Sequence, residues 1–95
     1  MRLSICIPTY NRSKRLISTL DSISKNKSIR NIEYEVCISD NNSKDGTRDV
    51  VKRYSEKLNI HYKKNDHNIG MAKNIISVVD MANGQFIWML GDDDL

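Results

Sequence analysis

Apolar and polar positions fall into two alternating kinds of stretch along the chain. Short dense runs occur at Leu3-Ser4-Ile5-Cys6-Ile7-Pro8, at Tyr34-Glu35-Val36-Cys37-Ile38-Ser39-Asp40, at Ile60-His61-Tyr62-Lys63 and at Gln85-Phe86-Ile87-Trp88-Met89-Leu90. Their length and their β-branched and aromatic content predict strands. The last run, continuous and apolar, reads as a buried strand. Between them apolar residues recur at helical spacing: Leu16, Ile17, Leu20 and Ile23; Val50, Val51, Tyr54 and Leu58; Ala72, Ile75, Ile76, Val79 and Ala82. Ser13 is placed to cap the first helix, and the polar stretch from Lys25 to Asn31 ends it. Gly84 is suited to cap the third helix at its C-terminus. The order β-α-β-α-β-α-β with short connections predicts an α/β fold: a four-stranded, mainly parallel sheet with helices on both faces.

In such a sheet ligands bind beyond the carboxyl ends of the strands. The unusual polar residues of this chain are at those ends. Thr9-Tyr10-Asn11 follows the first strand, Asp40-Asn41-Asn42 the second, and Asp92-Asp93-Asp94 the fourth, after Gly91. Turns select Asn and Asp in any case. Short Asp runs are most often solvated tails. Three adjacent carboxylates at the end of a strand would nevertheless repel one another unless a cation sat among them. A hard divalent ion, Mg²⁺ or Mn²⁺, prefers such oxygen ligands. The coincidence of three polar strand ends therefore predicts one binding rim with the acidic triplet in it.

Ninety-five residues allow one domain, spanning 1–95. The net charge of +3 is spread through helices and loops. The few aromatics are not interleaved with the basic residues as a base-stacking platform requires, which argues against nucleic acid as a partner. Cys6 and Cys37 lie in strand runs without metal-ligand spacing and read as buried, reduced thiols, consistent with a cytoplasmic protein. A peripheral position on the inner face of the membrane stays open. His61 and His67 read as surface or loop residues without a metal role, and Trp88 as core or interface. Neither GxGxxG nor GxxxxGK[ST] occurs.

Four ordered motifs, Ile5-Cys6-Ile7-Pro8-Thr9-Tyr10-Asn11-Arg12, Ile38-Ser39-Asp40-Asn41-Asn42-Ser43-Lys44-Asp45-Gly46-Thr47, Asn68-Ile69-Gly70, and Gly84-Gln85-Phe86-Ile87 leading to Gly91-Asp92-Asp93-Asp94, together resemble the N-terminal half of family 2 glycosyltransferases. The resemblance covers the whole chain. It implies a Rossmann-like GT-A nucleotide-binding half, a nucleotide-diphosphate-sugar donor, and a glycan or lipid-linked acceptor in the intact enzyme. Carried onto these positions, it implies a nucleotide-sugar site of Pro8, Thr9, Tyr10, Asn11, Arg12, Asp40, Asn41, Lys73 and Asp92, with Tyr10 as a stacking surface. Asp40 and Asn41 would read the base edge or support their loop. Asp93 and Asp94 would hold Mn²⁺ or Mg²⁺, and Asp92 would reach the ribose. A bound divalent ion neutralises the diphosphate and makes it a competent leaving group.

Three positions depart from the family pattern. Asn41 stands where an acid often follows Asp40, and an amide can donate as well as accept, which leaves cytosine or thymine open beside uracil. Lys73 follows Gly70 at shorter spacing than usual, and a solvated helix lysine is its alternative reading. Gly91 stands where the acidic motif often begins with Asp. The resemblance also implies a general base in a second half, expected beyond Leu95. The chain is therefore expected to be a donor-binding domain of a truncated glycosyltransferase, inefficient in transfer by itself. The alternative is a non-catalytic, self-associating domain of the same fold. An open apolar edge at residues 86–90 predicts a homodimer through that strand.

Overall fold

The computed structural model describes residues 2–91. Seven elements alternate along the chain: β1 Leu3–Thr9, α1 Ser13–Ser24, β2 Tyr34–Asp40, α2 Thr47–Tyr54, β3 Ile60–Lys64, α3 Met71–Asp80 and β4 Phe86–Met89, with one 3₁₀ turn at Lys27–Ile29. The strands form a single sheet in the order β3-β2-β1-β4. Every pairing is parallel, with Cys6 opposite both Cys37 and Met89, and Thr9 opposite Asp40. The α/β architecture expected from the hydrophobic pattern is the one present.

Successive strand residues point to opposite faces of a sheet. On one face Ile5, Ile7, Val36 and Ile38 pack against Leu16, Leu20 and Ile23 of α1 and Val50, Val51 and Tyr54 of α2. On the other, Cys6 and Cys37 meet Val78 of α3, and both thiols are free and buried. Burial pushes the Cys37 thiol up to about 12, with the nearby Glu35 carboxylate adding to the rise, so it stays protonated.

Pro8 sits inside a central strand, where a missing N–H would normally break a ladder. The Thr9 carbonyl accepts from Asn41 N on the β2 side, whereas the Cys6 carbonyl accepts from Leu90 N on the β4 side. Pro8 shares the phase of Cys6, and the β1–β4 register extends only from Leu3 to Cys6. Its nitrogen therefore faces past the end of β4, where no donor is needed.

Several local expectations are corrected. Ser13 is the first residue of α1 rather than its cap. The cap position is Arg12, whose side chain makes no capping bond, and the Ser13 N–H donates instead to Asp45 Oδ2 at 3.1 Å. Asp45 Oδ1 also accepts from the N–H and hydroxyl of Thr47, so one carboxylate caps both α1 and α2. Burial opposes its charge, but these bonds outweigh burial and hold the carboxyl below its ordinary range. Leu58 is buried but lies beyond the end of α2. On α3 the buried positions are Asn74 and Val78, whereas Ile76 is 62% exposed. Met81, not Gly84, caps that helix. Gly84 instead passes against β1, where a Cβ would lie 2.7 Å from Ser4 Oγ and 2.8 Å from Ser4 N. The apolar run of β4 is not buried: Phe86, Ile87, Trp88 and Met89 are 58%, 47%, 39% and 38% exposed, and β4 ends the strand order among the described residues. Among the described residues no helix is long and apolar enough to cross a membrane.

Candidate nucleotide site

The carboxyl ends of β1 and β2 are tied together by short polar bonds. Asn11, at φ 50° in the left-handed region that Asn tolerates, donates its N–H to Ser43 Oγ at 2.8 Å and accepts from Lys44 N at 2.7 Å. Asn42, at φ 68°, provides the matching turn after β2. Asp40 is 1% exposed. Its Oδ1 accepts from Ser43 N at 2.9 Å and its Oδ2 from the Tyr62 hydroxyl at 2.6 Å. Burial and the adjacent carboxylate push the Tyr62 phenol upward, keeping it a donor.

Behind this rim lies a chain of amides. Asn41 Oδ1 accepts from Ile69 N at 2.9 Å and from Asn65 Nδ2 at 3.2 Å, and its Nδ2 donates to Asn68 Oδ1 at 2.7 Å. Asn68 Oδ1 also accepts from Gly70 N at 2.8 Å. Asn74 Nδ2 donates to the Ser39 carbonyl at 3.0 Å, while its Oδ1 accepts from Ser39 Oγ at 2.7 Å and Asn65 Nδ2 at 3.0 Å. Gly70, at φ 88° and ψ 157°, starts α3 in a conformation that residues with a Cβ rarely adopt. This network fixes the 65–70 loop and the start of α3 against the end of β2.

Beside it lies an open cleft with a volume of about 580 Å³. It brings together Pro8, Thr9, Tyr10, Arg12 and Asn41 from the predicted set with Gly91, the residue that precedes the acidic triplet. Tyr10 is 43% exposed, leaving its ring accessible as a wall. Asn11 and Asp40 do not line it. Asn11 lines a shallower depression with Arg12 and Asp45, and Asp40 serves as scaffold beneath the loop. Lys73 is exposed on α3 and outside the cavity lining. Asp92, Asp93 and Asp94 lie outside the described residues. Among the described residues no group of three His, Cys, Asp or Glu could hold a metal ion. The cavity also recruits Asn68, Gly70, Met71, Asn74, Ile75 and Met89, none of which was singled out as a site residue. The Asn68-Ile69-Gly70 break was the one sequence signal pointing to part of that group.

The glycosyl transferase family 2 model matches residues 4–95. The chain belongs to that family. Abequosyltransferase RfbV of Salmonella typhimurium is 41% identical over 96 residues, which cover 99% of this chain and 28% of that protein. The poly(ribitol-phosphate) beta-N-acetylglucosaminyltransferase TarS of Staphylococcus aureus is 31% identical over 97 residues, 99% of this chain and 16% of its own length. The crystal structure of TarS 1-349 with UDP-GlcNAc superposes at a TM-score of 0.89 over 98% of this chain and 27% of that one. The mannosyltransferase PcManGT of Pyrobaculum calidifontis, solved with GDP-Man and Mn²⁺, superposes at 0.86 with 26% identity, over 97% and 27% of the two chains. This glycosyltransferase domain thus has the GT-A fold, and it spans about a quarter of the solved chains it matches.

At the opposite end of the same sheet the domain holds a second polar centre. Glu35 is fully buried and accepts from Ser4 Oγ at 2.5 Å and Asn83 N at 2.7 Å. His61 Nε2 lies 3.2 Å from Glu35 Oε1. The surface reading of His61 therefore holds only for half of its side chain, since the other half is anchored to a buried carboxylate. Burial alone would raise the Glu35 pKa, but the bonds from Ser4 and Asn83 and the charge of His61 outweigh it, and the net shift is downward.

Proposed function

We propose that this domain binds the nucleotide-diphosphate-sugar donor of a glycosyltransferase that extends a glycan or lipid-linked acceptor in polysaccharide assembly, working at the cytoplasmic side. The observation that carries the reading is that Gly91, one residue before the acidic triplet, lines the same cavity as Pro8, Thr9, Tyr10 and Asn41. A nucleoside reaching in from the β1 and β2 ends would extend its diphosphate toward that triplet. Tyr10 offers an aromatic face to the base, and Arg12 can donate to donor oxygens. Asp92 would reach the ribose. Asp93 and Asp94 suit Mn²⁺ or Mg²⁺ because carboxylate oxygens are the ligands a hard divalent cation takes. When bound, that ion would offset the charge developing on the departing diphosphate. PcManGT, solved with Mn²⁺, supports the choice of ion.

The exposed apolar edge of β4 supports a further part of the proposal, a homodimer joined along residues 86–90. A strand edge left open among the described residues offers a row of backbone donors and acceptors to a second copy.

Calorimetric titration of nucleoside diphosphates into this chain, with and without Mn²⁺, tests the reading. Binding should require the ion and should disappear in Asp93→Ala. Metal-independent binding, or none, would leave only a non-catalytic domain of the same fold. Light scattering on the same samples should give the mass of two chains, and the mass of one at high concentration would remove the dimer.

A further inference from the structure

Basic residues occur along the whole chain, but acidic residues do not balance them evenly. Positions 12–30 hold Arg12, Lys14, Arg15, Lys25, Lys27 and Arg30 against Asp21 alone, whereas positions 58–95 hold Lys63, Lys64 and Lys73 against Asp66, Asp80 and the Asp92-Asp93-Asp94 triplet. The fold gathers the first excess on one surface. α1 buries Leu16, Thr19, Leu20 and Ile23 against the sheet, so its opposite side faces outward, and all of the basic residues from Arg12 to Arg30 are exposed. Arg12, Lys14 and Arg15 stand at the start of the helix, and Lys25, Lys27 and Arg30 follow its last residue. A helix of this length separates the two groups by about 18 Å. Positive charge at one end would tip the domain toward a polyanion, whereas charge at both ends lays the helix along it. Asp21, the one acid of this stretch, sits 2.9 Å from Lys25. α2, beside α1, is also basic on balance, but exposed Asp49 and Glu56 dilute its charge.

We propose that the outer side of α1, from Arg12 to Arg30, is a docking surface for an anionic lipid membrane. A basic amphipathic helix is the pattern that lies on charged bilayers. Clusters of about four to eight Lys and Arg on such a helix bind anionic headgroups by charge alone, with no pocket required. Here the apolar side of the helix is already committed to the core, so the attraction is electrostatic and reversible. Nucleic acid is the less suited polyanion, because positions 12–30 contain no aromatic residue on which a base could stack. The orientation also suits a lipid-linked acceptor. α1 runs alongside the strands, so with its outer side on a bilayer the carboxyl ends of the strands, and the cleft with them, open along the lipid surface. The inference rests on the proposed function only through that acceptor, and its test uses no nucleotide.

Cosedimentation of this chain with vesicles of phosphatidylcholine, and with vesicles of equal parts phosphatidylcholine and phosphatidylglycerol, provides the test. The chain should bind the mixed vesicles and ignore the neutral ones. It should be released at about 1 M salt, where screening cuts the reach of a charge to about 3 Å. Two triple variants, Lys14→Gln/Arg15→Gln/Lys27→Gln and Lys63→Gln/Lys64→Gln/Lys73→Gln, remove the same charge from different surfaces, and every position in them is exposed, so the fold is retained. The first should weaken binding to the mixed vesicles roughly tenfold or more, since each basic residue near the surface contributes about fivefold. The second should weaken it less than about threefold. Equal weakening by both would show that binding follows net charge rather than this face. Equal binding to neutral vesicles, or binding to neither, would remove the lipid surface altogether. Release from the mixed vesicles by an equal charge of polyuridylate would make the polyanion a nucleic acid instead. None of these failures touches metal-dependent nucleotide binding, which calorimetry reads separately.

Discussion

The two faces of the sheet do different work. The face under α1 and α2 is lined by Ile5, Ile7, Val36 and Ile38 and filled with leucine, isoleucine and valine. The face under α3 carries Ser4, Glu35, Ser39 and His61 beside Cys6 and Cys37. Asn74 and Ser77 of α3 reach down to it, and Lys63 donates to Ser77 at 3.2 Å. Apolar burial is non-directional and scales with area, so the first face supplies stability without fixing any one atom. Hydrogen-bonded networks are directional and costly when incomplete, so the second face fixes geometry. The cavity opens where that directional layer reaches the carboxyl ends of the strands.

The contrast can be broken from either side. Leu20→Ala, in the fully buried apolar layer, should cost about 3 kcal/mol in chemical denaturation. Any nucleotide affinity should be unchanged in the fraction that stays folded. A loss below 1 kcal/mol would show that the apolar layer does not dominate stability.

Glu35→Gln should cost about 2 kcal/mol, because an amide cannot accept at both ends from Ser4, Asn83 and His61. The pH dependence has a definite sign. The Glu35 carboxyl sits below its ordinary value of 4.5 in the fold, so its contribution is fully present above that value and is lost as pH falls through the lower folded pKa. Denaturation midpoints measured from pH 7 to pH 3 should therefore fall more steeply in the parent than in Glu35→Gln. Parallel profiles would contradict the assignment.

The smallest effect has the opposite direction. Thr19 is fully buried in the apolar layer, and its Oγ1 is a buried side-chain atom without a hydrogen-bond partner among the described residues. Thr19→Val keeps the shape and removes the orphaned hydroxyl, and should stabilise by about 1 kcal/mol in thermal melts. A hydroxyl is a defect on this face, whereas the Ser39 hydroxyl on the other face connects β2 to α3. Destabilisation by Thr19→Val would blur the comparison.

The sequence by itself determined the element order, the apolar layer and the clustering of polar residues at the strand ends. Hydrophobic period and turn chemistry are local properties, set by residues close together in the chain. Thr9, Tyr10 and Asn41 could be placed at one rim for that reason. Only the tertiary structure decided the rest. The inward face of α3 carries Asn74, invisible to an apolar pattern because its partners, Ser39 and Asn65, belong to other elements. Gly84 looked like a helix cap but is required by the backbone of a strand 80 residues earlier. Asp40 turned inward to hold its loop because its partners, Ser43 N and the Tyr62 hydroxyl, are settled by which groups meet across the fold. No local signal carries that information.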